Sequence, residues 1–351
     1  MVEFAGYNMP VEYSGIRNEH LTVREKIGVF DVSHMGEFWV KGDNATDFVQ
    51  KITSNNVNNL SNGKIQYSCF INNRGGIIDD LLVYRIDEKT YMLVVNASNI
   101  QKDWSWCIEN AKSMNIEIGK ELYNASEEIC QLAIQGPLSL KVMQKLTDES
   151  VEDMEYYTFK KCTLAGIENV IFSTTGYTGS KGCEIYVANE DGAKLWEAIF
   201  EVGEEFGIKP IGLGARDTLR IEAGYCLYGN DINEETSPIE AGLGWITKLV
   251  DDNDFIGRHS IEKQKASGES KKLKGFVLNE KGIPRKDYKI FNEKKEEIGT
   301  VTSGTISPLL NKGIGLAYLD KGYWKEGTII YIKIRNKSIK ATVTKPPFYN
   351  A

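Results

Sequence analysis

The chain has 351 residues, with 42 Lys and Arg against 49 Asp and Glu; a net charge of -7 without any run of five like charges excludes the basic footprint of a nucleic-acid binder. A hydrophobic fraction of 41% with 10% aromatics is ordinary globular composition, and no run of 18 apolar residues is there to span a membrane. The length exceeds the roughly 250–300 residues at which single cores divide, so two or three domains are expected.

In chain order, residues 1–6 have neither a basic n-region nor an apolar h-region, and a cytoplasmic location is the expectation. After Met35 the chain alternates apolar and polar residues up to Gly42, which predicts a half-buried strand, and residues 45–52 read as a short helix. Three β-rich runs at 66–71, 76–84 and 91–95, separated by turn signals at 73–76 and 87–89, predict an antiparallel meander. Helices are expected at 100–111, 138–147 and 193–206, the last with Leu195, Ala198, Ile199 and Val202 on one face. Strands at 169–173 and 184–187 flank a glycine-rich segment, 175–182. The polar stretch 263–272 reads as a linker, and the short β-type runs beyond it predict a small all-β sandwich or barrel. The expected organisation is an α+β region over 1–262 followed by an all-β domain over 263–351.

Three scattered histidines, His20, His34 and His259, supply no zinc motif or Ser-His-Asp set, and no metal site is expected. Six cysteines without a C-x-x-C pair read as reduced, mostly buried thiols. Gly75 to Tyr84 is more informative, because Asp79 and Asp80 interrupt an apolar strand and burying them is costly without partners. Alternation sends them to opposite faces, Asp80 with Ile78 and Leu82. One then anchors a turn while the other faces a cavity, or both lie at a solvated strand end.

The glycines of 175–182 lack the G-x-G-x-x-G spacing of a dinucleotide loop. They leave two readings: a plain hairpin connection, or a backbone that closely approaches a flat ligand, with Tyr177 stacking and Glu184 accepting paired hydrogen bonds. Residues 212–224 read as a loop entering a helix. There Arg216 either pairs locally with Asp217 or holds an anionic ligand group, and the acidic segment 231–235 forms a rim loop or a solvated turn.

Six segments taken together, in order, carry a family resemblance: Phe4–Tyr13, Phe30–Gly36, Gly75–Leu81, Gly176–Gly179, Gly212–Arg220 and Gly299–Gly304. They resemble the aminomethyltransferase, or T protein, of the glycine cleavage system, and the likeness runs from Phe4 to Pro347. The resemblance implies an α+β, multidomain, cloverleaf-like folate-binding transferase fold whose last lobe is a C-terminal all-β barrel. It implies transfer of an aminomethyl carbon from the lipoyl arm of a partner H protein to tetrahydrofolate, releasing ammonia and the dihydrolipoyl arm. It places the catalytic aspartate at Asp80, leaving Asp79 a structural role, and the pterin-gripping glutamate at Glu184. Arg216 falls on the folate-contacting arginine, and Met35, Tyr67, Val94, Asn96 and Tyr177 fall in the folate pocket.

Two departures stand out. Relatives usually carry about fifteen to twenty residues before Phe-Ala-Gly where this chain has three, which bears on H-protein docking, and Ser180-Lys181-Gly182 replaces the common Glu-Asp-Gly. A stand-alone folate-dependent demethylase and a non-catalytic folate-binding assembly protein share the scaffold. The assembly proteins' Lys-Gly-Cys-Tyr signature stops here after Lys181-Gly182-Cys183.

Overall fold

The computed structural model describes residues 1–349. The chain divides into two compact units, the first made of Met1–Phe70, Asp79–Ala215 and Val250–Ile256, the second of Ile71–Ile78, Arg216–Leu249 and the chain from Gly257 onward.

Two antiparallel sheets build the core of the first unit. One has five strands in the order Ile65–Ile71, Ile77–Asp87, Thr90–Val95, Gly36–Lys41 and Leu122–Asn124. The meander pairs in register, Leu82 with Val94 and Tyr84 with Met92, and Gly36–Lys41 closes on Thr90–Val95 with Glu37 opposite Val94. The other sheet has six strands in the order Phe159–Leu164, Ile167–Ser173, Gly182–Ala188, Ile129–Gln135, Gly28–Asp31 and Lys209–Pro210, antiparallel except for the last pair.

Side-chain alternation explains the layering. Cys130, Leu132, Ile134, Cys183, Ile185 and Val187 pack with Leu195 and Ile199 of helix Gly192–Gly203, on the face the 3.6-residue period selected. Ile171 and Tyr186 point the other way and join Ile65, Tyr84, Met92 and Val94 of the five-stranded sheet in a second core. Helices Ala45–Ile52 and Ile100–Ser113 cover the five-stranded sheet's remaining face, where Phe38 meets Trp104 at 5.1 Å.

Strands Gly28–Asp31 and Ile129–Gln135 escape the sequence reading because both their faces are covered, or nearly so, and period-2 patterning fades. The same effect corrects the strand after Met35, which is predicted half-buried: Phe38 and Val40 face the helices, while Glu37 on the opposite face is also buried.

The second unit holds a closed six-stranded barrel of Lys271–Leu278, Gly313–Asp320, Glu297–Ile306, Lys289–Phe291, Ile329–Ile334 and Lys337–Thr344. Phe276, Ile290, Val301, Leu319, Ile330 and Val343 fill its interior. The predicted linker at 263–272 is instead the end of helix Arg258–Ser267 and the start of strand Lys271–Leu278. Lys263 and Lys265 lie on the exposed side of a helix held by buried Ile261, so polarity there reflects one wet face.

Among the described residues no helix is long and apolar enough to cross a membrane. All six cysteines are buried and unbridged.

Candidate active site

Strand Ile77–Asp87 carries both aspartates into protein rather than solvent, which removes the solvated-strand-end reading. Asp79 is fully buried and Asp80 is half-buried. Although alternation separates their side chains, Asn96, just past the end of the neighbouring strand, bridges them. Its Nδ2 donates to Asp79 Oδ1 at 2.9 Å, to Asp80 Oδ1 at 2.9 Å and to the Asp80 carbonyl at 3.0 Å. Asp79 also accepts from the Asn96 backbone N–H at 3.1 Å and from Asn99 Nδ2 at 2.6 Å.

The Asp80 carboxyl accepts a 2.7 Å hydrogen bond from the Tyr67 hydroxyl, so Tyr67 reaches the site through its oxygen. Burial first, then the negative charge of Asp79, push the Asp80 carboxyl up to about 7, against the pull of Tyr67 and Asn96.

Asp80, Leu82 and Tyr84 share one face of their strand, so about 13 Å separates the Cα atoms of Asp80 and Tyr84 at the usual rise per residue. This face packs in the second core with Val94 and Met35. Beyond it stands a polar network. Tyr84 Oη meets Tyr186 Oη at 2.9 Å, Ser173 Oγ at 3.0 Å and Thr175 Oγ1 at 3.3 Å. Thr175 Oγ1 and Gln131 Nε2 both donate to the Glu184 carboxylate.

The structure therefore brings Asp80, Tyr67 and Asn96 into one hydrogen-bonded group, places Met35 and Val94 on the core beside it, and holds Glu184 through the Tyr84 and Gln131 network. Tyr177 is half-buried in the loop between the two strands that carry Ser173 and Glu184. Arg216 is half-buried near the start of helix Leu213–Ala223 and belongs to the second unit.

Three local readings gain detail. The glycine-rich segment is the hairpin connection between Ile167–Ser173 and Gly182–Ala188, the first of its two readings, and Gly176 and Gly182 admit a side chain. A Cβ at Gly176 lies 2.0 Å from Gln135 Oε1, and one at Gly182 lies 2.5 Å from Gln135 Nε2. Gln135 in turn donates to the carbonyls of Thr175 and Cys183 and accepts from Thr178 Oγ1. Asp217 is taken by Arg220, whose Nε and Nη2 each lie 2.8 Å from Asp217 Oδ1, and not by its neighbour Arg216. Asp231 is fully buried against Arg220 instead of sitting in a solvated turn.

Glu37, Gln131 and Asp103 are contributors that pattern reasoning missed. Glu37 is 1% exposed, neither of its carboxyl oxygens meets a donor, and burial followed by the charge of Glu184 holds it well above the usual carboxylate range. The available signal was a glutamate on a strand that runs between two packed layers. Because folded Glu37 keeps its proton where the unfolded chain has lost it, stability falls as pH rises above the ordinary carboxylate range. Glu37→Gln, neutral and close in shape, is expected to flatten that slope and to raise Tm at pH 8 by about 2–4 °C for each kcal/mol recovered. Melting curves from pH 5 to 8 check this; an unchanged slope means that Glu37 ionises in place.

A carboxylate matches paired N–H donors, Gln131 Oε1 is a buried acceptor without a hydrogen bond, and Met35, Leu82 and Val94 are apolar neighbours.

The chain matches the GCVT N-terminal domain model over residues 1–251 and the glycine cleavage T-protein C-terminal barrel domain model over residues 271–350. It is 59% identical over 348 residues to an aminomethyltransferase of Bacteroides fragilis, covering 99% of this chain and 95% of the relative. An aminomethyltransferase of Bacteroides thetaiotaomicron is 58% identical with the same coverage. The crystal structure of glycine cleavage system aminomethyltransferase T from Bartonella henselae superposes with a TM-score of 0.90 at 30% identity, over 99% of this chain and 93% of that one. Its two matched domains and its full-length relatives place this chain in the glycine cleavage T-protein family.

Proposed function

We propose that this aminomethyltransferase moves an aminomethyl carbon from the lipoyl arm of H protein to tetrahydrofolate, with Asp80 as the group that handles protons and developing positive charge. The observation that carries the role of Asp80 is its half-buried carboxyl, held by Tyr67 and Asn96 and poised at about 7. At neutral pH both protonation states are populated, the condition under which one carboxyl can take a proton and return it.

When bound, tetrahydrofolate supplies the amine nitrogens that accept the carbon. The two hydrogens those nitrogens give up balance the thiol and the ammonia that leave. Asp80 takes a proton from a folate amine, stabilises the cationic carbon as the bond to sulfur loosens, and passes the proton to the departing amine. Tyr67 and Asn96 fix the orientation of the Asp80 carboxyl. Glu184 grips the pterin edge through its two oxygens, with Thr175 and Gln131 holding it in place, while Met35, Val94 and Tyr177 flank the ring system. Arg216 serves the anionic tail of the folate.

Incubation with aminomethylated H protein and tetrahydrofolate is expected to release ammonia and form methylenetetrahydrofolate in equal amounts. Formation of neither product sinks this reading, and turnover of small methylated amines in its place supports a demethylase. Glu184→Gln is expected to weaken tetrahydrofolate binding by about 10- to 100-fold, the loss for hydrogen bonds to a charged group. Calorimetric titration measures it, and an unchanged Kd removes Glu184 from the pterin site.

A further inference from the structure

Behind the two strand aspartates stands a third carboxyl that the proposed chemistry does not use. Asp103 lies in the first turn of helix Ile100–Ser113 and is fully buried. Neither of its oxygens meets an N–H or O–H donor, and the group within hydrogen-bonding reach of them is the Asp79 carboxyl. Two facing carboxyls form a hydrogen bond only if one carries a proton. Asp79 already accepts from the Asn96 backbone, Asn96 Nδ2 and Asn99 Nδ2, a donor set that matches an ionised carboxylate. The proton therefore sits on Asp103.

We propose that Asp103 is a positioning residue, a neutral acid whose O–H fixes Asp79 as a carboxylate and, through the Asn96 bridge, sets the orientation and protonation of Asp80. This rests on the assignment of Asp80 as the proton-handling group. The titratable and charged groups around the three acids are Tyr67 on the neighbouring strand and Lys102 and Cys107 on the helix. Of these, the Lys102 cation opposes protonation of Asp103, while burial followed by the charge of Asp79 pushes Asp103 up to about 11. Keeping Asp79 ionised matters because its charge is one of the causes that lift Asp80 toward neutrality.

The first test is made on the wild-type protein labelled with 13C at aspartate Cγ and followed by NMR from pH 5 to 9. Asp103 is expected to stay at a protonated shift and Asp79 at an ionised one, while Asp80 titrates near 7; Asp103 titrating like an exposed carboxylate overturns the proposal. The second uses Asp103→Asn, whose amide still donates to Asp79, and Asp103→Leu, which donates nothing. Asp103→Asn is expected to keep the Asp80 midpoint. Asp103→Leu forces Asp79 to compete for the proton, so the Asp80 midpoint and the acid limb of kcat are expected to fall by about one pH unit. A midpoint that stays put or rises in Asp103→Leu refutes the coupling. The labelled titration reads the acid pair without turnover, so it stands apart from failure of the Asp80 assignment, which Asp80→Asn decides.

Discussion

Asp80→Asn is expected to lower kcat by about 10²- to 10⁴-fold while tetrahydrofolate still binds, because the amide fills the same space but neither takes up a proton nor carries charge. Asn96 Nδ2 now faces an amide in place of a carboxylate oxygen, and an amide flip keeps the Tyr67 and Asn96 contacts largely in place. The loss should therefore fall on kcat and leave the folate Kd within a few-fold of wild type.

The pH profile adds a sign. Asp80 is lifted to about 7, so its ionised fraction grows as pH rises through that value, and wild-type kcat is expected to climb from pH 6 to 8. The residual rate of Asp80→Asn should show no such limb. Single-turnover ammonia release from aminomethylated H protein across that range measures both effects. A variant that keeps wild-type kcat sinks the assignment of Asp80. Asp79→Asn separates the two strand acids: its amide N–H2 opposes the Asn96 and Asn99 donors and lowers stability, and with the Asp79 charge gone the kcat limb is expected to move to lower pH while the plateau rate is kept.

Arg220→Met is expected to give the largest loss of stability, about 3–5 kcal/mol, because it strands a buried negative charge. Arg220 is 1% exposed and Asp231 is fully buried, with Arg220 Nη1 2.7 Å from Asp231 Oδ2. The guanidinium also reaches Asp217, the Tyr225 carbonyl and Ser303 Oγ, while Asp231 takes hydrogen bonds from the Leu227 N–H, Thr302 and Ser303. Thr302 and Ser303 belong to barrel strand Glu297–Ile306, so this pair ties helix Leu213–Ala223 to the barrel within the second unit. Urea unfolding measures the loss. Adding Asp231→Asn to Arg220→Met is expected to regain part of it, because the unpaired charge is gone. A cost below about 1 kcal/mol for Arg220→Met means that water reaches the pair.

Local pattern made the elements legible where turn residues bound a β-rich run or where one face of an element is wet. The meander, helix Gly192–Gly203 and five of the six barrel strands stand close to where period and turn residues put them. Lys289–Phe291 is too short to carry a period, and Ile129–Gln135 shows no alternation because both its faces are covered. Of the site, Asp79 and Asp80 announce themselves as charges inside an apolar run. Asp103 reads as one more polar residue of a helix, and Glu37 as an outward position of an alternating strand.

The amino-acid sequence by itself determined the family, the α+β class with a terminal barrel, and which aspartate to watch, because ordered motifs and residue types survive without coordinates. Only the tertiary structure decided what each charged group meets. Whether Asp217 pairs with Arg216 or Arg220, whether Asp231 faces water, and which donors reach the two strand aspartates depend on desolvation and on groups brought from distant strands. Length, composition and charge count such groups but carry no information about the distances between them, and those distances set the energies of buried charges.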